Sequence, residues 1–104
     1  MKMIRAIIRP EKEEEVIKAL DTAGFPSITK MDVLGRGKQK GIQVGSAVYD
    51  ELAKSMLIVV LEDSMLEKAT KAISESARTG NFGDGKIFVS TVESAITIRT
   101  GKAA

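Results

Sequence analysis

Cysteine and histidine are both absent from the 104 residues. The first absence excludes disulfides and thiolate metal sites, and the second excludes any chemistry that needs an imidazole. Aromatic side chains are scarce. Phe25, Tyr49, Phe82 and Phe88 are all there are, fewer than a base-stacking surface for nucleic acid normally uses. An excess of one charge is lacking too: 16 Lys and Arg against 14 Asp and Glu leave a net +2, weak support for a nucleic-acid partner. No apolar run approaches the ~18 residues of a membrane helix, and the start MKMIRAIIRP has no signal-peptide cleavage pattern. The expectation is a cytoplasmic protein without membrane insertion or direct nucleic-acid binding.

What is present reads as a single domain over residues 1–104, with hydrophobic residues at 43% and charged residues at 29%. That balance is ordinary for a globular chain able to build one core. From Met3 to Arg9, Ile4, Ala6 and Ile8 alternate with Arg5, Ile7 and Arg9, which predicts a strand. Pro10 then opens a helix, where it costs no hydrogen bond. Glu11, Glu13, Glu14 and Glu15 crowd its first turns, where the helix dipole favours negative charge, and are read as a solvated helix start. Val16, Ile17, Leu20 and Ala23 form the buried stripe, and Gly24 ends the helix.

Ser27 to Leu34 predicts a second strand. Ser55 to Leu61 predicts a third, continuously apolar from Met56 onward. Ser64 and Glu67 have the spacing of a capping box, opening a helix that buries Leu66, Ala69, Ile73 and Ala77 and closes at Gly80. Ile87 to Ser90 is a fourth strand, and Ala95 to Arg99 supplies a short fifth. The order β-α-β-β-α-β with a tail strand is the α+β, ferredoxin-like split arrangement. Two helices cover only one face of such a sheet, yet the third strand is apolar on both. Burial against other subunits, hence oligomerisation, is expected.

Two stretches exceed what the fold needs. Gly35 to Lys54 is a long, polar connection with Arg36, Lys38, Gln39 and Lys40 at its root, where typical connections run ~4–6 residues and those beyond ~12–15 are usually functional or disordered. The other is Thr79-Gly80-Asn81-Phe82-Gly83-Asp84-Gly85-Lys86-Ile87-Phe88-Val89. Its glycines free the backbone to turn N–H groups around an anion, and Lys86 adds a cation. Gly80 to Lys86 nearly spells a Walker A loop. However, Ile87 stands where Ser or Thr would hold Mg²⁺, and a strand follows instead of a helix. On local sequence alone this is either a phosphate cradle or a plain glycine-rich joint.

Together, MKMIRAIIRPEK, LGRGKQKG, ARTGNFGDGKIFVSTVE and TIRTG resemble the PII signal-transduction family over nearly the whole chain. The resemblance implies a trimer of ferredoxin-like subunits with ATP or ADP in the clefts between them. It also implies sensing of 2-oxoglutarate through Mg²⁺-ATP, and a T-loop, here about residues 36–54, that reaches targets in nitrogen metabolism. By that resemblance Gly83, Asp84, Gly85 and Lys86 bind phosphate, joined by Gly35 and Lys38. Arg99 reaches phosphates in a neighbouring cleft, and Thr29 contacts the adenine end. Gln39 helps to hold Mg²⁺, the backbone of Gly37, Lys40 and Gly41 folds around 2-oxoglutarate, and Lys54 pairs with its far carboxylate.

There are departures from the family pattern. Lys38 stands where Arg is frequent, Thr97 where many members have a second arginine, and Ile58 where many have Glu. Tyr49 does not align securely with the tyrosine some relatives carry as a uridylylation target, and no modification is expected there. The shortened loop, GRGKQKGIQVG followed by YDEL, looks like the archaeal branch linked to nitrogen fixation. Such proteins act with a paralogous partner on the dinitrogenase component of nitrogenase, switching it off when ammonium is plentiful. The alternative within the family is a general PII protein acting on an ammonium transporter, glutamine synthetase or a transcriptional regulator.

Two readings from other classes fare worse. An RNA-binding domain of the same strand order would read bases with aromatics on its central strands, and MLIVVL has none. An acyl- or phosphoryl-transfer enzyme would have only carboxylates and lysines for its chemistry. No catalytic residue is assigned, and the chain is read as a regulator and not an enzyme.

Overall fold

The computed structural model describes residues 1–36, 42–44, 47–49 and 52–104, with 42–44 and 47–49 by backbone path alone. In chain order the elements are β1 (Lys2–Ile8), α1 (Glu13–Thr22), β2 (Thr29–Gly35), β3 (Ile42–Val44), β4 (Ala47–Tyr49), β5 (Leu52–Leu61), α2 (Leu66–Ala77), β6 (Gly85–Thr91), β7 (Ile96–Thr97) and β8 (Lys102–Ala103). A single 3₁₀ turn precedes each helix, at Pro10–Lys12 and at Asp63–Met65.

β1 is the centre of the main sheet, which runs β2-β5-β1-β6 with every neighbouring pair antiparallel. Each helix connects two strands that flank a third, and this interleaving of two crossovers is the ferredoxin-like fold. Side chains alternate across a strand, and the register puts Ile4 beside Val59 and Val89, and Ala6 beside Leu57 and Ile87. Both helices lie on that face. Val16 and Leu20 of α1 and Ala69, Ile73 and Ala77 of α2 close over Ile4, Ala6, Ile8, Leu57 and Val59, and all of these are buried. The other face carries Met3, Arg5, Ile7, Met56, Ile58, Val60 and Phe88, and among the described residues neither helix packs on it.

Several boundaries differ from the sequence expectation, each for a local reason. Pro10 opens a 3₁₀ turn, and the α-helix itself starts at Glu13. α1 ends in a Schellman arrangement: Phe25 N–H donates to Leu20 C=O at 2.8 Å and Gly24 N–H to Asp21 C=O at 3.0 Å. Phe25 and Leu20 then share the core. The expected capping box does not form. A cap residue must be extended, and that backbone belongs to Glu62 (φ −70°, ψ 150°), which leaves Ser64 inside the 3₁₀ turn with no side-chain cap bond.

Pairing carries the strands further than composition suggests. β2 reaches Gly35 and β5 starts at Leu52, so the long connection is narrower than Gly35 to Lys54 and contains the β3–β4 pair. β6 begins at Gly85, extended by its partner β1. The tail strand does not join the sheet: β7 pairs with β8 as a separate hairpin.

Candidate functional site

At one end of the sheet four strand ends come together: the end of β1 at Ile8, the start of β6 at Gly85, the start of β5 at Leu52 and the end of β2 at Gly35. The segment between α2 and β6 lies at this end. With the strand ends it encloses a cleft of about 480 Å³ bordered by Gly35, Arg36, Lys54, Phe82, Gly83, Gly85 and Lys86. Lys86 lies beside Ile7, and Lys54 precedes Met56 by two residues on the same face of β5. Both lysines therefore emerge on the face opposite the helices.

The glycines are required by geometry. Gly80, Gly83 and Gly85 take φ values of 88°, 94° and 107°. A Cβ on Gly85 would stand 1.7 Å from the Ile7 carbonyl oxygen, inside the β1–β6 ladder. One on Gly83 would press to 3.3 Å from the Arg9 guanidinium. Only glycine fits either position.

Asp84 organises this loop. Its carboxylate accepts from the Thr79 hydroxyl, from the backbone N–H groups of Thr79 and Gly80 at 2.8 Å each, and from Arg9 Nε at 3.1 Å. These bonds, the Thr79 hydroxyl foremost, hold its pKa well below the usual carboxylate range. The side chain is thus spent inward, and what Asp84 can offer an anion is its backbone N–H. Among the described residues the N–H groups of Phe82, Gly83 and Asp84 have no acceptor.

Lys54 Nζ donates to the Gly83 carbonyl at 2.6 Å. Partial burial lowers its pKa, the neighbouring Arg9 lowers it further, and Glu11 and Asp84 act the other way. Arg36, Lys54 and Lys86 thus border one cleft whose single carboxylate among the described residues, Asp84, is already engaged. Free N–H groups, a left-handed glycine turn and several cations form an arrangement suited to a polyanion.

The structure brings together Gly35, Lys54, Gly83, Asp84, Gly85 and Lys86 of the residues singled out in the sequence. It keeps two others apart within one chain. Thr29 begins β2 at the end opposite Gly35, roughly 20 Å away at ~3.3 Å per residue. Arg99 lies exposed between β7 and β8 and does not border the cleft. Gly37, Lys38, Gln39, Lys40 and Gly41 lie outside the described residues, as does the side chain of Tyr49.

Sequence reasoning missed Arg9, whose one available signal was its alternation with Ile7 on the open face. It also misread Glu13 as merely solvated. Glu13 accepts from buried Ser55 Oγ at 2.6 Å and from Lys30 Nζ at 2.8 Å. Those bonds lower its pKa, with Lys30 the larger cause, and tie the start of α1 to β5 and β2.

The geometry defines a small α+β domain with a basic, glycine-lined cleft at the root of a long loop. The family described as "Nitrogen regulatory protein P-II" matches residues 1–102. The chain is 61% identical over 100 residues to "Nitrogen fixation nifHD region GlnB-like protein 1" of Methanothermobacter marburgensis, covering 96% of this chain and 95% of that one. To "Nitrogen fixation nifHD1 region GlnB-like protein 1" of Methanosarcina barkeri it is 60% identical over 102 residues, covering 98% and 97%. To "Nitrogen regulatory protein P-II" of Azospirillum brasilense it is 46% identical over 106 residues, covering 98% and 95%. The chain belongs to the P-II family of nitrogen regulatory proteins, which are signalling regulators and not enzymes. Among the described residues no helix is long and apolar enough to cross a membrane.

Proposed function

We propose that this protein binds ATP or ADP, senses 2-oxoglutarate and inhibits nitrogenase through its T-loop when nitrogen is plentiful. The observation that carries the reading is the basic cleft, in which the glycine loop, Lys86 and Lys54 meet at the root of the long connection. Triphosphate oxygens would lie on the free N–H groups and Lys86. The 2-oxoglutarate carboxylate would take Lys54, with the backbone of Gly37 to Gly41 around it. Gly35 and Lys38 would complete the nucleotide contacts.

Mg²⁺ would arrive with the nucleotide, since among the described residues no three acidic groups cluster to hold a metal and Asp84 is engaged. Gln39 would be its protein donor, consistent with the way Mg²⁺ keeps phosphate and water oxygens around one or two protein ligands.

A trimer follows from the same reading. Thr29 and Arg99 serve a nucleotide only if the cleft is completed by a neighbouring subunit, and the uncovered apolar sheet face supplies the contact. The nifHD-region names of the archaeal relatives support nitrogenase as target, engaged together with a paralogous partner. The 46% identity to a plain nitrogen regulatory protein P-II supports the second reading, a general PII protein with another target.

A pull-down of dinitrogenase with the reconstituted pair, with and without ATP plus 2-oxoglutarate, separates the two. Capture that both effectors abolish is the expected result, and it should vanish when Ile42 to Ala47 are deleted. No capture under any ligand condition favours the general reading.

A further inference from the structure

Two consecutive peptide groups of the glycine loop are held by their carbonyls. The Phe82 carbonyl accepts from Arg9 Nη2 at 2.7 Å and the Gly83 carbonyl from Lys54 Nζ at 2.6 Å. Among the described residues no peptide is cis, and in a planar trans peptide the N–H points opposite to the C=O. Fixing the first carbonyl therefore aims the Gly83 N–H away from Arg9. Fixing the second aims the Asp84 N–H away from Lys54. These are two of the N–H groups that have no acceptor among the described residues.

Arg9 is committed to this task. Its Nε is on Asp84 Oδ1 at 3.1 Å, its Nη2 on the Phe82 carbonyl, and its Nη1 lies 3.9 Å from Glu11. One planar fork thus spans a carboxylate and a carbonyl, a geometry an ammonium cannot copy. Lys54 is the weaker pin: a single contact from a flexible stem, at a position where glycine lets the peptide swing (φ 94°).

We propose that Arg9 is a positioning residue for the anion cradle and that Lys54 is its second, releasable pin. The inference deepens the nucleotide and 2-oxoglutarate reading above and rests on it. A carboxylate that captures the Lys54 ammonium withdraws it from Gly83. The freed peptide then alters the aim of the Asp84 N–H toward phosphate. The dicarboxylate and the nucleotide communicate through one peptide group, in addition to any metal they share.

The test has two arms on the full chain. The first follows the amide resonances of Gly83, Asp84 and Gly85 in the ligand-free protein. The second titrates ATP calorimetrically without 2-oxoglutarate. Arg9→Gln should move the three loop amides while leaving those of Ile4 and Leu57 in place, and should weaken ATP about tenfold, the loss of one charged hydrogen-bonding partner. Arg9→Lys should not rescue it. Lys54→Met should move the Gly83 and Asp84 amides and weaken ATP by a smaller factor.

The Arg9→Gln/Asp84→Asn double variant should lose no more than the worse single, because both act through one arrangement. Multiplied losses, full rescue by lysine, unmoved loop amides, or wild-type ATP affinity in both Arg9→Gln and Lys54→Met would each overturn the proposal. If Arg9→Gln does not fold, Lys54→Met decides alone by the same two arms. Moved amides in a protein whose wild type binds no ATP would sink the nucleotide reading and leave the pinning intact.

Discussion

The two faces of the sheet are built from the same strands and are nearly equal in apolar content, yet they have opposite environments. On the helix face Ile4, Ala6 and Leu57 are completely buried. On the other face Met31, Val60 and Phe88 stay 48%, 45% and 51% exposed. The difference teaches that apolarity marks a surface to be covered without saying by what. The centre of one face is covered by the chain's own helices, and the other leaves its apolar residues open. Contiguous exposed apolar surface of this kind marks an interaction site.

The comparison breaks most severely if a buried side chain is truncated. Leu57→Ala should cost about 2–5 kcal/mol, the range for a buried leucine that leaves a cavity, read by denaturant unfolding. The adjacent Ile58→Ala, on the open face, should cost as much only if that face is covered in the assembly. Its loss should then depend on protein concentration, because association adds to apparent stability. Equal, concentration-independent losses would mean that the open face is not an interface.

Next in size is a charge on that face. Phe88→Asp should reduce the scattering mass at micromolar concentration to that of one chain, with helical circular dichroism kept. A wild type that already scatters as one chain would remove the basis for a trimer.

At the ligand end, Lys86→Ala should lower ATP affinity by about 1.5–3 kcal/mol, the worth of a charge-assisted bond, without shifting the melting point. Lys86 is exposed, so the fold does not lean on it. Unchanged affinity in calorimetry would reduce the glycine loop to a structural joint.

The smallest effect is the acid dependence of that loop. Asp84 has a folded pKa below its unfolded value, so between the two values the unfolded chain binds more protons and stability rises with pH. Its contribution is whole at neutral pH and fades as pH falls below about 4, the ordinary aspartate value. The stability gap between wild type and Asp84→Asn should close over that acid range. A gap that stays constant would show that the carboxylate's charge is irrelevant to the loop.

The sequence by itself determined the elements whose signals are local. The alternation of Ile4, Ala6 and Ile8 and the stripe of Ala69, Ile73 and Ala77 are properties of backbone period, and both appear as read. The positive-φ turns at Gly80, Gly83 and Gly85 were legible because no other residue takes that backbone freely. Lys86 followed from its place at the end of the turn.

What only the tertiary structure decided is where residues distant along the chain meet. Arg9, Lys54 and Asp84 come from a strand end, a strand start and a loop, and no spacing rule links them. The antiparallel register alone brings them to one end of the sheet. The capping box failed for a related reason: the chain leaving β5 turns at Glu62, so the Ser64 motif fell two residues past that cap, inside the turn. Periodicity is written into each segment, whereas register, convergence and the choice of covered face are set by the packing of segments on one another.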